Sequence, residues 1–526
     1  MCSKLGTGSQ NIFNERRDWL DACLIDKREL WKSQKWKKLR QNLFRLQRRI
    51  YKAVQAGDLR KARSLQKLIM KSRSAQLLAV RQVTQLNQGK RTAGIDGKES
   101  LNYRERIELV ETLNHYGHTW FHSGLREIPI PKKNGKIRML KIPTIADRAW
   151  QCLVKYALEP AHEANFHARS YGFRTGRSAH DAQQYVFTNL NAAKNGINKR
   201  VIELDIKKCF DRISHKSIMD RLLAPASLKT GIFRCLKAGI CPEFPEQGTP
   251  QGGVVSPLLA NIALDGIEDI HPSVRYADDM VIFLKPEHDA EKVLQKVEKF
   301  LDERGLEISK EKTKVTKTTD GFDFLGWHMR VKQNGKLHCR PSVDNHRKVR
   351  EKIKAIVNSS NYGAEVKAKK LAPIVRGWRN YHRWCDMSNS RDRLWFPNYA
   401  ANKKFRKEKK VNRYKAKELC KKAFPAVKTK LFGHKMVTGT KSPYDGDLVY
   451  WSKRKSALYN NDTSKALAKQ NHSCGYCGMK FVDEEKVHLH HIDGNHDNWK
   501  RNNLMAVHQS CHQQIHWSKS IDKPRG

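Results

Sequence analysis

The spacing of apolar positions changes several times along the chain, and each change marks a different kind of structure. From Asp26 to about Leu86, Leu43, Leu46, Ile50 and Val54 recur three and four residues apart, and Leu65, Leu68 and Ile69 repeat the pattern. That spacing predicts two or three amphipathic helices. Between Gly94 and Trp327 it gives way to short β-rich runs, such as Val201 to Leu204 and Met280 to Phe283, separated by helical stretches and Gly/Pro turns. A mixed α/β unit is expected there. Helical spacing returns from Asn345 to about Trp395, and Ala401 to Lys435 is dense in lysine with few acids. Such a run suits a solvated face or a flexible linker, but Phe405, Tyr414 and Phe424 within it equally suit a nucleic-acid surface. After Ser464 a small module with metal-type cysteine spacing closes the sequence.

A length of 526 residues predicts three or four units with separate cores. Charge narrows the partner: 102 Lys and Arg against 53 Asp and Glu leave a formal +49, a field that concentrates polyanions. A basic membrane-surface protein would need amphipathic helices with exposed aromatics or a lipid anchor, and neither is evident. No apolar run approaches the roughly 18 residues of a membrane span, so no membrane partner is expected. Twelve scattered cysteines argue for reduced thiols. The first residues show neither a signal-peptide core nor an Arg/Ser-rich transit peptide, which makes bacterial cytoplasm the expectation, with an organelle as the alternative.

Candidate chemistry sits at Tyr276, Ala277, Asp278 and Asp279, flanked on both sides by apolar residues. This predicts a β-hairpin with two acids at its turn. Adjacent carboxylates repel, so such a pair is either a plain solvated turn or a cation site. A second strand-like run, Val201 to Ile206, carries Asp205 between apolar neighbours, where an unpaired acid is costly. Three acids on two strands can hold two magnesium ions, one at a primer hydroxyl and one at a triphosphate.

Further segments resemble, in order, the reverse transcriptases of group II introns: Gly94 to Gly97, Ile128 to Arg138 with Ile142 to Arg148, and Ser170 to Arg174 with Gly176 to Ser178. Leu204 to Asp211, Gly248 to Ile262, Gly305 to Thr313 and Phe322 to Trp327 continue the series. The likeness spans about three quarters of the chain. It implies a multidomain α/β protein: a right-hand polymerase with fingers and palm, a helical thumb and maturase domain, and a small zinc-stabilised module. By the same resemblance Asp205, Asp278 and Asp279 hold Mg2+, while Lys136 and Arg138 meet the triphosphate of incoming dNTPs. Phe210 lies under the sugar and rejects a 2′ hydroxyl, although a core phenylalanine is an equal reading of that residue alone. Gln251, between Pro250 and Gly252, lies against template and primer.

Leu371 to Trp384 packs three aromatics and three arginines into one helix-like segment and resembles the maturase domain of that family, which grips intron RNA and primer duplex. Trp378 and Tyr381 are expected inside, with Arg376, Arg379 and Arg383 outside. The run Lys403 to Lys435 resembles the family's DNA-binding region.

Cys474, Cys477, His508 and Cys511 form two pairs of soft ligands, each spaced by two residues, which suits a tetrahedral structural Zn2+. Between and after them lie His490, His491, Asn502, Asn503, His512 and His516. The arrangement resembles the HNH, or ββα-metal, nucleases: a strand with His490 and His491, a loop with the asparagine, and a helix placing His512 and His516 on one face. The resemblance makes His491 the general base and Asn503 its orienting partner, with Asn502 as the alternative. His490, His512 and His516 would hold a divalent ion such as Mg2+ or Mn2+. His508 departs from the cysteine common in relatives. A zinc-stabilised DNA-binding finger without cleavage is the alternative for this module.

The expected organisation is a helical extension over 1–90, fingers and palm over 91–330, thumb and maturase domain over 331–400, a basic region over 401–463 and the HNH module over 464–526. The implied function is a group II intron protein that copies RNA into DNA, assists splicing of its intron RNA, and cuts target DNA for homing by target-primed reverse transcription. An RNA-folding maturase with residual enzymatic sites and a free-standing reverse transcriptase are the alternatives.

Overall fold

The computed structural model describes residues 27–131, 137–239, 245–408, 411–456, 459, 461–481 and 487–521. After a short helical segment over 27–32, three helices follow, Trp36–Gln55, Leu59–Lys71 and Arg73–Arg81. Leu43, Ile50, Val54, Leu65 and Ile69 are buried, as their spacing predicts, while Leu68 is exposed. Asp58 and Ser72 cap the second and third helices by accepting from the backbone N–H of Lys61 and Ala75. All three pack on the long helix Ile145–Glu163.

Two strands, β1 (Arg126–Pro131) and β2 (Ile137–Ile142), form an antiparallel ribbon that pairs Ile130 with Arg138. Lys136 lies outside the described residues. The central antiparallel sheet combines β3 (Arg200–Leu204), β4 (Ser273–Tyr276), β5 (Asp279–Leu284) and β6 (Lys314–Lys317) in the order β4-β5-β3-β6. Both of its faces are covered, which is why Met280 to Leu284 reads as an unbroken apolar run. Ile202, Leu204, Met280, Ile282 and Leu284 join the core shared with the N-terminal helices. Val201, Val274, Val281 and Phe283 face a second core on the other side.

That second core is completed by a three-stranded sheet, β7 (Phe322–Phe324), β8 (Trp327–Val331) and β9 (Leu337–Pro341), and by helices Val343–Asn358, Ala364–Tyr381, Trp395–Phe405 and Arg413–Ala423. The aromatics of the 371–384 segment do turn inward. Trp378 is buried and donates to Asn345 Oδ1 (2.9 Å), and Tyr381 stacks on the fully buried Trp327 with ring centroids 4.8 Å apart. Arg376 is exposed, but Arg379 is not free on the outside as expected. It donates to the carbonyls of Phe424, Pro425 and Arg393, tying this helix to the ends of its neighbours.

The lysine-rich stretch is not a bare linker either. Ala401, Phe405, Ala416, Leu419, Cys420, Ala423 and Phe424 are buried, because small and apolar residues recur at helical spacing among the lysines. Helices Leu448–Ser456 and Asn461–Lys469 lead into the last module, where β10 (Val487–His491) pairs antiparallel with β11 (Leu504–His508) before helix Gln509–Ile521. Among the described residues no helix is long and apolar enough to cross a membrane.

Candidate active sites

The first site is built on the hairpin of β4 and β5. Tyr276 pairs with Asp279, leaving Ala277 and Asp278 as the turn, and Ala277 takes the left-handed conformation at φ 59°. That backbone is costly for alanine, so its surroundings must hold it. Arg275, fully buried, pairs with Glu268 (2.6 Å) and donates to Asn261 Oδ1 (3.0 Å) and to the Ala277 carbonyl (3.1 Å). Asn261 in turn donates to the carbonyl of Gly172 (2.8 Å). A Cβ on Gly172 would lie 2.3 Å from the Ala277 nitrogen, so only glycine fits against the turn. The Ser170 to Arg174 block is thus a mould for the acidic hairpin.

Asp205 follows the end of β3, one step beyond the pair of Leu204 with Met280. It lines, with Asp278, a cleft of about 1290 Å³ that also takes in Arg138, Phe210 and Gln251. Asp279 begins β5 and keeps exposed surface outside that lining. Protein still withdraws enough solvent around it that burial, with the charges of Asp278 and Asp205, pushes its carboxyl up to about 6. Burial and Asp205 raise Asp278 as well, opposed by Arg138 and Lys312. A group of hard oxygen donors resisting its own negative charge fits a divalent cation.

Two cleft residues carried no assignment from the sequence. Lys312 Nζ stands 2.6 Å from the Asp205 carboxylate. Phe173, left-handed at φ 59° and exposed, meets Phe210 edge-on at 6.4 Å; its position next to Gly172 is the signal that could have found it. Gln251 donates to Asp211 Oδ1 (3.3 Å), and its carbonyl accepts from the Lys141 N–H (2.9 Å). Gly252, at φ 134°, has no room for a Cβ, which would lie 2.7 Å from the Lys141 carbonyl. This loop therefore joins β2 through backbone contact.

The second site lies in the C-terminal module. Cys474, Cys477, His508 and Cys511 are all buried, and their ligand atoms lie within 4.8 Å of one another. Three thiols and an imidazole converging in this way fit Zn2+. His490, His512 and His516 bring their ring nitrogens within the same 4.8 Å, from β10 and from one face of the final helix. Burial and the surrounding imidazoles hold His512 down to about 4, so the ring is neutral and able to donate to a metal.

His491 is buried, and neither ring nitrogen has a hydrogen-bond partner among the described residues. Its ring is instead flanked by His496 and Trp499, each with centroids 5.1 Å away. Asn503 ends a short 3-10 turn just before β11. Its amide nitrogen donates to Asp493 Oδ1 and the Asn498 carbonyl (2.9 Å each), and its oxygen accepts from the Asp493 N–H (3.0 Å). The side chain closes the loop after His491, while Asn502 is exposed.

An acidic cleft at a moulded hairpin, with a separate ββα module, is the arrangement of a reverse transcriptase joined to an HNH nuclease. Residues 130–329 match the family model for reverse transcriptase (RNA-dependent DNA polymerase), 31–113 that for the N-terminal domain of reverse transcriptase, 346–420 the group II intron maturase-specific domain, and 474–517 the HNH endonuclease. The chain is 38% identical to maturase-like protein 1 of Euglena gracilis over 85% of its own length and 96% of that protein's. It is 26% identical to the group II intron-encoded protein LtrA of Lactococcus lactis subsp. cremoris, over 48% of this chain and 54% of that one. A telomerase of Candida albicans overlaps loosely, with a TM-score of 0.30 and 14% identity over 58% of this chain and 62% of its own. The chain belongs to the family of group II intron reverse transcriptases and maturases.

Proposed function

We propose that this protein acts on its own intron RNA, assisting its splicing, and then inserts it into DNA by nicking a target strand and extending the new 3′ end. The observation that carries the polymerase step is the meeting of Asp205 and Asp278 in one cleft beneath a hairpin moulded by Gly172 and Arg275. Asp205, Asp278 and Asp279 would hold magnesium, which supplies the positive charge that activates a primer hydroxyl and neutralises a triphosphate. Arg138 pairs with that triphosphate, joined by Lys136. Phe210 packs under the sugar and excludes a 2′ hydroxyl, Phe173 fixes the Phe210 ring from the side, and Gln251 lies against the template.

In the C-terminal module, Cys474, Cys477, His508 and Cys511 would hold a structural zinc that stands in for a larger core. His490, His512 and His516 would hold Mg2+ or Mn2+, which supplies a Lewis acid at the scissile phosphate. His491 takes the proton from the attacking water. Asn503 is a positioning residue that fixes the loop beside His491. We assign 1–90 to the N-terminal extension, 91–330 to fingers and palm, 331–400 to thumb and maturase domain, 401–463 to the DNA-binding region and 464–526 to the nuclease. The many buried thiols suit a reducing compartment, either bacterial cytoplasm or an organelle.

A maturase with only residual enzymatic sites is disfavoured by the complete acid and histidine sets. Purification from the native host at moderate salt, followed by sequencing of the bound RNA, tests the reading. One dominant excised intron containing this reading frame is expected, whereas a diverse RNA pool would point to a free-standing reverse transcriptase. Asp278→Ala should abolish DNA synthesis and His491→Ala should abolish nicking, each in a folded protein.

A further inference from the structure

Helix Trp395–Phe405 does not follow the logic of a packed amphipathic helix. Its buried residues are Ala401 and Phe405, while its first turns carry three large aromatics open to solvent: Trp395 at 52%, Phe396 at 63% and Tyr399 at 59% exposure. They are not loosely scattered. Trp395 and Tyr399, one turn apart, lie parallel within 4° with centroids 5.5 Å apart, and Phe396 stands perpendicular to Trp395 at 5.0 Å. The start of the helix is pinned from below. Leu394 is fully buried, the Trp395 N–H donates to the Ser390 carbonyl (3.1 Å), and Arg379 donates to the Arg393 carbonyl (2.8 Å).

A contiguous exposed apolar patch on a soluble surface marks a partner, and the charge around this one selects its class. From 391 to 407 the chain carries Arg391, Arg393, Lys403, Lys404, Arg406 and Lys407, and its acid, Asp392, is fully buried and paired with Arg391. Protein interfaces are depleted of lysine relative to the rest of the surface. Three lysines and three arginines flanking flat rings along the chain suit a polyanion with exposed π faces, which means unpaired nucleic-acid bases, since a duplex hides its base faces.

We propose that Trp395, Phe396 and Tyr399 form a platform on which unpaired bases of an RNA stack, with the surrounding arginines and lysines holding its phosphates. The choice of RNA rests on the maturase reading above. Because every base offers a π face, the platform accepts loops or single strands of varied sequence and leaves the choice of intron to other surfaces.

The test uses the full-length protein and an unstructured 15-nucleotide RNA containing 4-thiouridine, with a duplex of the same sequence as competitor. Photo-crosslinks mapped by mass spectrometry should fall on the peptide around 394–402. Trp395→Ala with Tyr399→Ala should abolish those crosslinks and weaken binding by about tenfold or more, since each lost stack is worth roughly 1–3 kcal/mol. Trp395→Phe with Tyr399→Phe should restore both, and exposure of these side chains predicts unchanged melting for either variant. Crosslinks and affinity equal to wild type in the alanine variant would overturn the proposal. So would retained RNA binding with a changed sedimentation mass, which would mark the patch as a protein contact. A diverse RNA pool from the native host, with platform crosslinks intact, would sink the splicing reading and leave the platform standing.

Discussion

At the scale of single residues, the acids of the cleft show chemistry in competition with stability. Burial, with the charges of Asp278 and Asp205, pushes the Asp279 carboxyl up to about 6 in the folded chain. An unfolded aspartate titrates near 3.9, so the folded state binds this proton more tightly, and folding carries a cost that is absent at low pH and fully present above about 6. Asp279→Asn should therefore raise the melting temperature at pH 7.5 in metal-free buffer while abolishing DNA synthesis; a lower melting temperature would mean that the carboxylate is held by favourable contacts. The same titration predicts that the Mg2+ concentration needed for half-maximal DNA synthesis rises as pH falls below about 6, because protons and metal compete for the same oxygens. Half-saturation measured from pH 5.5 to 8 checks this. The acid pair is legible in the sequence because two adjacent carboxylates between apolar strands repel each other unless solvent or a cation screens them. Lys312 is not legible: it meets Asp205 from 107 positions away, and no local pattern encodes that approach.

At the scale of elements, the acidic hairpin depends on a segment about a hundred residues earlier. Gly172→Ala would place a methyl group 2.3 Å from the Ala277 nitrogen, and backbone cannot yield as a side-chain tip can. A stability loss of about 1–3 kcal/mol is expected, with a fall in DNA synthesis out of proportion to it, because the turn holding Asp278 must shift. Wild-type activity in the folded variant would show that the mould is dispensable. The C-terminal module would depend instead on the zinc proposed at Cys474, Cys477, His508 and Cys511. Its core is small, built around Leu467, Phe481, Ala506 and Val507 with the cysteines themselves, so Cys477→Ser, or a zinc-selective chelator with Mg2+ kept in excess, should unfold it and stop nicking while DNA synthesis continues. Loss of both activities together would show that the two parts fold as one. The strands and helices bearing these sites were readable from period and motif. The inward turn of Arg379 was not, because a half-buried cation satisfied by three carbonyls looks in sequence like any surface arginine.

At the scale of the molecule, the segment leading into the nuclease is fastened to the polymerase through Asp181, a buried acid at the start of helix Ala179–Leu190. Burial alone would raise its pKa, but the hydrogen bond with His434 and the charge of Arg454 outweigh that and hold it well below the usual carboxylate range. Arg454 reaches both carboxylate oxygens (2.6 and 2.8 Å) and the Gly176 carbonyl (2.8 Å), while Arg177 donates to the carbonyls of Gly439 and Lys441. Arg40 of the first long helix donates to Ser510, between two of the proposed zinc ligands. The segment from 434 to 454 is therefore a strap held against the polymerase, and if it spaces the two sites, freeing it should uncouple nicking from extension. Removing one partner of a buried pair typically costs about 3–5 kcal/mol, so Arg454→Ala should free the strap without unfolding the palm. Limited proteolysis should then cut within 425–460, and DNA synthesis on a primed template and nicking of bare DNA should each persist, while the yield of nicked-and-extended product falls. Because the Asp181 carboxylate is depressed, its contribution is complete above about pH 4 and is lost as pH falls below that value, so the wild-type strap should become protease-sensitive in acid first. Equal protease resistance in wild type and variant at pH 7 would place the fastening elsewhere, and undiminished coupled product from a freed strap would show that the two sites find each other through the nucleic acid alone.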